Sequence, residues 1–429
     1  MNLRTIAALF VVAINVIPAV AQTNSPSVGN TEKLQYVLYI SRHGVRSPTG
    51  KSAQYNQFSI APWPAWDVPP GYLTARGFQL MQIFGAYDRQ LLESQHLFSS
   101  EPCSSASSVT IYADSDQRTR ETGKALAVGL FPGCNIPVHS LDEGMNDPLF
   151  HLPKSSIKPA DTKLATAAIS GRIGANPQAL TGAYRMQLAD LDNILATCGI
   201  AEKTPHQRVS ILDIPASLVP GTGDHAADLR GPLSTASTLT ENILLEYTEG
   251  MEKAKVGWGC VDGAKLRSLM DIHTAASDFA QRTPFIARLQ SASLLKAIKA
   301  SLEQAVAHRP IAGAPGQPSD RALFLVGHDT NLSNLAGALN LNWILDGRRD
   351  DTPPGSTLIF ELWQATETKA YSVHVYFSAQ TLEQMRSATT LTLSDPPSRV
   401  PVFLPGCSQP DLSCSWIDFT RALDGLQRQ

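Results

Sequence analysis

The chain has 429 residues, of which 43% are hydrophobic and 17% are charged. This length allows two or three domains with a large buried core. Its 35 basic and 38 acidic residues nearly cancel, with a formal net charge of −3. That balance argues against a protein that holds nucleic acid through its overall charge. The sequence contains no low-complexity segment and no repeat of fixed period.

The first residues have the features of an export signal. Arg4 supplies a positive charge, and an apolar run extends over residues 6–20. The small residues that end this run predict signal-peptidase cleavage after Ala21, so residues 1–21 are predicted to be a signal peptide. The run is shorter than the roughly 20 apolar residues of a membrane span. We therefore predict a periplasmic or secreted protein that does not associate with a membrane.

Cysteine usage agrees with an oxidising compartment. The even number of cysteines, without a C-x-x-C pair or zinc-finger spacing, favours disulfides over metal ligation. Six cysteines allow fifteen pairings, and their spacing does not choose among them. The six are Cys103, Cys134, Cys198, Cys260, Cys407 and Cys414.

Three apolar runs predict buried strands that each end in polar residues. Residues 34–40, 109–113 and 322–326 are nearly continuous in apolar side chains, as in strands covered on both faces. Helical patterns, for example at residues 80–92 and 294–306, alternate with these runs. The alternation predicts an α/β fold with a mostly parallel sheet. Ligands of such sheets bind beyond the carboxyl ends of the strands, where all three polar clusters are expected.

The segment from about residue 141 to 258 has a different pattern. Apolar residues recur every three or four positions in residues 180–198 and 239–251, which is typical of amphipathic helices. A stretch rich in Pro, Gly and Asp, residues 215–232, is predicted to be a loop. Strand signals are weak throughout this segment, which we interpret as a mainly helical insertion.

These patterns define a predicted domain organisation. Residues 357–363 and 371–377 are expected to form a hairpin at the edge of the sheet. The predicted three-layer α/β catalytic domain is discontinuous and consists of residues 22–140 and 259–429. The helical insert domain, residues 141–258, is expected to lie over the sheet.

The motif R-H-G-V-R-S-P at residues 42–48 follows the first predicted strand. Arg42 and Arg46 place two guanidinium groups, which match phosphate oxygens, on either side of His43. Two neighbouring cations lower the pKa of His43, so its imidazole is expected to stay neutral at lower pH than usual. A neutral imidazole in front of an anchored phosphate is a nucleophile.

The other two clusters supply the remaining groups of a phosphoryl-transfer site. Arg118 lies at a strand-to-helix junction, where helix amides also favour anions. His328 and Asp329 follow the third strand and add a hydrogen-bond donor and a carboxyl group. Phosphoryl transfer needs cations on the phosphate oxygens and a proton for the leaving oxygen. We predict that Arg42, Arg46, Arg118 and His328 bind phosphate and that Asp329 supplies the proton.

Together these motifs resemble those of the histidine acid phosphatases, branch 2 of the histidine phosphatase superfamily. Members carry R-H-G-x-R-x-P and a distant H-D, here residues 42–48 and 328–329. The resemblance covers nearly the whole mature chain and extends to D-Q-R-T at residues 116–119 and G-H-D-T-N at residues 327–331. Within the family the chain is most similar to bacterial periplasmic phytases and glucose-1-phosphatases.

The resemblance implies a mechanism and a substrate class. His43 would become a phosphohistidine, and Asp329 would protonate the leaving alcohol and then assist water as a base. Activity is then expected to peak at acid pH, where Asp329 holds its proton. No metal and no organic cofactor are implied, and the active site would lie between the α/β domain and the helical domain. The implied partner is a small phosphate monoester such as phytate, bound by a monomer.

The family also implies disulfide pairings. These are Cys103–Cys134 and Cys407–Cys414, with Cys198–Cys260 as the pair that departs from the close spacing seen in relatives.

Substrate specificity rests on fewer residues. The resemblance places Thr49, Glu241 and His273 around the substrate. Phytases of this group have a lysine directly after the threonine, whereas this chain has Gly50 and carries Lys51 one position later. His273 also lies on an apolar helical stripe, so a packed core histidine is an alternative. Phytate hydrolysis is the main prediction, and a broad acid phosphatase or glucose-1-phosphatase is the alternative.

Three other functions are less consistent with the sequence. A P-loop nucleotidase would need four residues between the glycines of its motif, but five separate Gly44 from Gly50. A mutase of the same superfamily would need a glutamate soon after R-H-G, where this chain has Val45 and Arg46. A phosphate-binding protein without catalysis would gain nothing from the Asp329 carboxylate beside a bound anion.

Overall fold

The computed structural model describes residues 32–153, 156–199, 207–223 and 225–427. The predicted signal peptide and its cleavage site lie outside these residues. In the described ranges, none of the helices combines the length and the apolar character that a bilayer crossing requires.

A central sheet organises the structure. The strands of the described residues are β1 Glu32–Arg42, β2 Val109–Ala113, β3 Val138–His139, β4 Ser217–Pro220, β5 Ala227–Arg230, β6 Ala322–Gly327, β7 Ile344–Leu345, β8 Arg348–Arg349, β9 Thr357–Ala365, β10 Tyr371–Ala379, β11 Ser398–Pro401 and β12 Ser413–Ser415. Within these residues the central sheet has eight strands in the order β11-β10-β9-β1-β6-β2-β3, with β12 paired to β10. Two short hairpins, β4–β5 and β7–β8, are separate from this sheet.

The sheet is mixed, although the sequence predicted a mostly parallel one. β1, β6, β2 and β3 are parallel, as helical crossovers require. β9 pairs antiparallel to β1, and β10, β11 and β12 extend this antiparallel half. The predicted hairpin forms as β9 and β10, but it lies inside the sheet because β11 and β12 pair with β10. The α/β class itself is confirmed.

Helices cover both faces of the sheet and give the predicted three layers. The helices are α1 Ser52–Tyr55, α2 Ala75–Ser94, α3 Gln117–Leu130, α4 Pro159–Arg172, α5 Gln178–Ala183, α6 Arg185–Thr197, α7 Pro232–Thr248, α8 Gly263–Ala280, α9 Pro284–Ala307, α10 Asp329–Leu339, α11 Leu382–Ser387 and α12 Trp416–Gln427. Because strand side chains alternate, Tyr36, Leu38 and Ile40 of β1 pack with α9, α10 and α12, whereas Val37 and Tyr39 pack with α2 and α3.

A separate hydrophobic core joins α4, α6, α7 and α8. The helix predicted over residues 180–198 is divided into α5 and α6, because Tyr184 leaves the helical conformation at φ −107° and ψ 20°. The predicted loop at residues 215–232 contains the hairpin β4–β5. Helix α8 packs in this core, although its residues were assigned to the sheet domain; the predicted domain boundaries stay a prediction.

Disulfides join all six cysteines. The pairs are Cys103–Cys134, Cys198–Cys260 and Cys407–Cys414, the same pairs that the family resemblance implies. Their Cα atoms are 5.6, 6.2 and 5.3 Å apart, within the range of ordinary disulfides.

Candidate active site

The carboxyl ends of three parallel strands meet at one place. Arg42 of β1 is in register with Gly327 of β6, and the His43 amide donates to the Gly327 carbonyl at 2.9 Å. From β2, the Asp114 amide donates to the carbonyl of Val326, also at 2.9 Å. These backbone links bring the three polar clusters of the sequence together. The ring centroids of His43 and His328 are 5.6 Å apart.

His43 is 1% exposed and is held in one orientation. Its Nδ1 lies 2.8 Å from the Gly44 carbonyl oxygen. Because a carbonyl oxygen can only accept, Nδ1 carries the hydrogen and the lone pair is on Nε2. Burial lowers the pKa of His43 well below its ordinary value, and Arg118, Arg42 and Arg46 lower it further. The predicted neutral imidazole is confirmed.

Gly44 is required by packing behind the site. A Cβ atom at this position would lie 2.8 Å from Met81 and 2.9 Å from the Gly77 carbonyl oxygen, both on α2. The Gly44 amide donates to Thr122 Oγ1 at 3.0 Å, which fixes the turn that presents His43.

Arg42 and Arg46 are paired with a carboxylate from the helical core. Fully buried Arg42 contacts Glu241 through Nη2 and donates from Nη1 to the Thr352 carbonyl at 2.5 Å. Arg46 Nη2 lies 3.7 Å from the same Glu241 oxygen. Burial raises the pKa of Glu241, but Arg42, His273 and Arg46 together hold it below its ordinary value. Glu241 therefore faces the arginines and is ionised.

Arg118 and His328 form the opposite side of the site. Arg118 Nη2 is 2.5 Å from Asp116 Oδ2 and 3.4 Å from His328 Nδ1. His328 is 5% exposed, and its Nε2 lies 2.6 Å from Asp114 Oδ2. The two aspartates were visible beside Arg118 in the sequence, but their contacts with His328 and Arg118 were not predicted.

His151 is a residue of the site that the sequence did not indicate. Its Nε2 lies 2.8 Å from Asp114 Oδ2, the oxygen that His328 also contacts. In the described part of the chain, these three residues are the one group of histidine, cysteine and carboxylate side chains close enough to share a metal ion. The Nε2 atoms of His151 and His328 both contact the same Asp114 oxygen, as expected for two hydrogen bonds to one carboxylate oxygen. The expectation of no metal stays a prediction.

Asp329 begins helix α10 beside the arginines. Its Oδ2 lies 4.0 Å from Arg42 Nη2. Burial raises the pKa of Asp329, but Arg42, His273, Arg46 and His328 hold it well below its ordinary value. Asp329 therefore loses its proton more readily than a free aspartate in this arrangement, and the expectation that it supplies the proton at acid pH stays a prediction.

Two neighbouring cavities open onto these groups. The larger, about 600 Å³, also contains exposed Thr49, and the smaller, about 340 Å³, is bordered by His273. Asp329 lines both cavities. Lys51 is not among the described residues that line either one, and neither is Glu241. The predicted residues that line the larger cavity are His43, Arg46, Thr49, Arg118, His328 and Asp329.

His273 combines features of a packed core residue and of a residue that borders a cavity. Its Nδ1 is 3.1 Å from Ser237 Oγ, and its Nε2 is 3.9 Å from Glu241 Oε2. Its side chain is 13% exposed. It therefore faces the smaller cavity and packs against α7 at the same time.

Comparison with known proteins gives consistent matches. The model of the histidine phosphatase superfamily (branch 2) matches residues 33–378. Phytase AppA of Escherichia coli K12 is 37% identical over 401 residues, 91% of either chain. A glucose-1-phosphatase of Salmonella typhimurium is 31% identical and covers 87% of this chain and 88% of its own.

Solved structures agree with the sequence matches. Hafnia alvei phytase in complex with tartrate superposes with a TM-score of 0.84 at 34% identity, over 92% of this chain and 98% of its own. The same phytase in complex with myo-inositol hexakis sulphate superposes with a TM-score of 0.79 at 33% identity and the same coverage. The chain belongs to branch 2 of the histidine phosphatase superfamily and is a phosphomonoester hydrolase.

Proposed function

We propose that the protein is an exported acid phosphatase that hydrolyses phytate through a phosphohistidine at His43. The observation that carries this proposal is the state of His43, a buried neutral imidazole with its Nδ1 hydrogen on the Gly44 carbonyl. The Nε2 lone pair is thereby available toward the cavity that Arg46, Arg118 and His328 also line. A nucleophile held among cations is what attack on an anionic phosphate requires.

The first step transfers the phosphoryl group to the protein. His43 Nε2 forms a bond to phosphorus while the bond between phosphorus and the ester oxygen breaks. Arg42, Arg46, Arg118 and His328 stabilise the charge on the transferring oxygens. The leaving alkoxide takes a proton from Asp329. A substrate phosphate offsets the cations that lower the pKa of Asp329, so the carboxyl group gains its proton together with the substrate.

The second step returns the site to its starting state. Water attacks the phosphorus of phosphohistidine, and the bond to His43 Nε2 breaks. Asp329, now ionised, accepts a proton from the attacking water. Inorganic phosphate leaves with the proton that Asp329 accepted, and His43 is again a neutral imidazole.

The substrate assignment rests on the cavity and on the relatives. The cavity of about 600 Å³ extends beyond the reacting groups and includes Thr49 and His225, leaving room for an alcohol that carries further phosphates. The relatives named as phytases match over more than nine-tenths of this chain. A glucose-1-phosphatase or broad acid phosphatase is the second candidate, because Lys51 lies outside both cavities.

The remaining parts of the proposal concern the whole chain. We propose export after cleavage at Ala21, activity as a monomer, and catalytic and helical domains with the predicted boundaries. Three disulfides support the export assignment because such bonds persist in oxidising compartments. Glu241 is assigned the role of positioning Arg42 and Arg46, and His273 and Thr49 remain candidates for substrate contact.

Substitution of the nucleophile tests the proposal. We expect His43→Ala to abolish hydrolysis of p-nitrophenyl phosphate and phytate, whereas His139→Ala, at an exposed histidine of β3, retains activity. Alkaline quenching of the wild type during turnover should trap phosphate on the protein that is stable in base and is released by acid. Retained activity in the His43 variant, or phosphate that survives acid, would contradict a phosphohistidine. Initial rates on phytate, glucose 1-phosphate and an aryl phosphate at pH 4–6 then decide the substrate.

A further inference from the structure

We propose that His151 is a positioning residue that acts on His328 through Asp114, and that it sets the upper pH limit of phosphate binding. The inference rests on the proposed function, in which His328 binds the substrate phosphate. His151 comes from a turn of the segment that precedes α4, far from His328 in sequence. Its effect is therefore a property of the tertiary structure.

The geometry shows that both histidines depend on one carboxylate oxygen. Asp114 is 1% exposed, and its Oδ2 lies 2.6 Å from His328 Nε2 and 2.8 Å from His151 Nε2. The rings are 5.2 Å apart between centroids. An ionised carboxylate can only accept, so each Nε2 donates its hydrogen to Asp114.

The hydrogen bond between His328 Nε2 and Asp114 determines which nitrogen of His328 can donate to phosphate. Because its Nε2 hydrogen is committed to Asp114, His328 can donate to phosphate only from Nδ1. Nδ1 carries a hydrogen at the same time only in the imidazolium form. Phosphate binding by His328 therefore requires the ring to be protonated.

His151 opposes that protonation in two ways. When His151 is charged, it repels a second positive charge 5.2 Å away. Its hydrogen bond also uses the carboxylate oxygen that would otherwise stabilise the His328 imidazolium alone. Burial lowers the pKa of His328, Asp114 opposes this effect, and Arg118 and His151 lower the pKa further.

Other charged and titratable groups near His328 also affect whether its ring is protonated. Asp114 and Asp116 approach its Nε2, at 2.6 and 3.7 Å. Arg118 lies 3.4 Å from its Nδ1, and the centroid of His43 is 5.6 Å from that of His328. Asp329 follows it in sequence and lines the same cavity.

The turn that carries His151 is fixed to the same strand end. Asn331 Nδ2 donates to the Phe150 carbonyl at 2.7 Å, and Asn331 Oδ1 accepts from the His328 amide at 2.9 Å. Asp147 accepts from the Leu149 amide at 2.9 Å and from a tyrosine hydroxyl of β2 at 2.8 Å. His151 is thus held beside Asp114, while 27% of its side chain remains exposed toward the cavity.

Two substitutions separate orientation from charge. His151→Gln keeps an amide donor for Asp114 but cannot become charged, whereas His151→Leu removes both. For His151→Gln we expect the alkaline limb of the kcat/KM profile to move up by roughly 1 pH unit. For His151→Leu we expect a larger upward shift, because Asp114 Oδ2 is then left to His328 alone, together with a loss of roughly 3- to 30-fold in kcat/KM at every pH. The glutamine variant should restore most of this loss.

A second readout does not depend on the chemical step. The inhibition constant of inorganic phosphate should rise with pH in the wild type and rise later in both variants. His139→Gln is the matched control for loss of an exposed histidine, and melting temperatures show whether each variant is folded. Substrate ionisation is common to all the proteins and cancels in the comparison.

The outcomes distinguish this inference from the proposed function. If the wild type is active but the profile of His151→Gln superimposes on it, His151 does not act on His328 and the inference is wrong. If His43→Ala retains activity, the proposed function fails whatever the His151 variants do.

Discussion

Buried Glu246 is expected to make the stability of this protein depend on pH. It lies on α7, is 1% exposed, and its Oε2 accepts a hydrogen bond from the Gly257 amide at 2.9 Å. Burial raises the pKa of Glu246 to about 8, and only the Gly257 hydrogen bond opposes the shift. The folded protein therefore keeps this carboxyl group protonated at pH values where the unfolded chain has already lost the proton.

The sign and size of the effect follow from linkage. The ordinary pKa is 4.5 and the folded value is about 8, so the stabilisation is complete below pH 4.5 and is lost as pH rises to about 8. One pKa unit corresponds to about 1.4 kcal/mol. Between pH 5 and pH 8 the titration of Glu246 thus lowers the free energy of unfolding by roughly 3–4 kcal/mol. For a chain of this length, such a loss of stability lowers the melting temperature by about 4 °C.

Glu246→Gln makes the test because the amide is neutral at every pH and still accepts from Gly257. Melting temperatures of wild type and variant are measured from pH 5 to pH 8, with exposed Glu252→Gln as the control. We expect the wild type to lose about 4 °C relative to the variant over this range. Other titrating groups, including buried Asp88, are common to both proteins. If the melting temperatures of wild type and variant changed with pH in parallel, Glu246 would already be ionised in the folded state and the reasoning would be refuted.

Two further predictions concern the active site. Asp329→Asn should slow hydrolysis of alkyl phosphates by roughly 10²–10⁴ and affect p-nitrophenyl phosphate much less, because only poor leaving groups need the proton; equal losses on both substrates would contradict its acid role. Glu241→Gln leaves buried Arg42 without its carboxylate, so unfolding free energy should fall by about 3 kcal/mol. Inorganic phosphate should stabilise this variant more than the wild type in urea denaturation, and equal stabilisation would argue against the pairing.

The fold could be predicted from the sequence where local patterns decide it. Continuous apolar runs marked β1, β2 and β6, and helical periodicity marked α2, α7 and α9. The hairpin of β9 and β10 was also predicted. Its place inside the sheet was not, because β11 and β12 are short strands with weak periodicity.

The site could be predicted where its groups follow strand ends. Arg42, His43, His328 and Asp329 lie at the ends of buried runs, and Arg118 lies five residues after one. Parallel strands bring such residues to one edge of the sheet. The neutral state of His43 followed from two arginines within three residues of it. These expectations needed no knowledge of long-range packing.

The sequence by itself therefore determined the three strand ends, the chemical groups placed there and the lowered pKa of His43. Only the tertiary structure decided that Glu241 pairs with the arginines, that His151 and His328 share Asp114, and that the groups around Asp329 lower its pKa. The reason is physical. Strand and helix patterns depend on near neighbours in the chain, whereas the protonation and pairing of a buried group depend on every charge within a few ångströms, most of which come from distant segments.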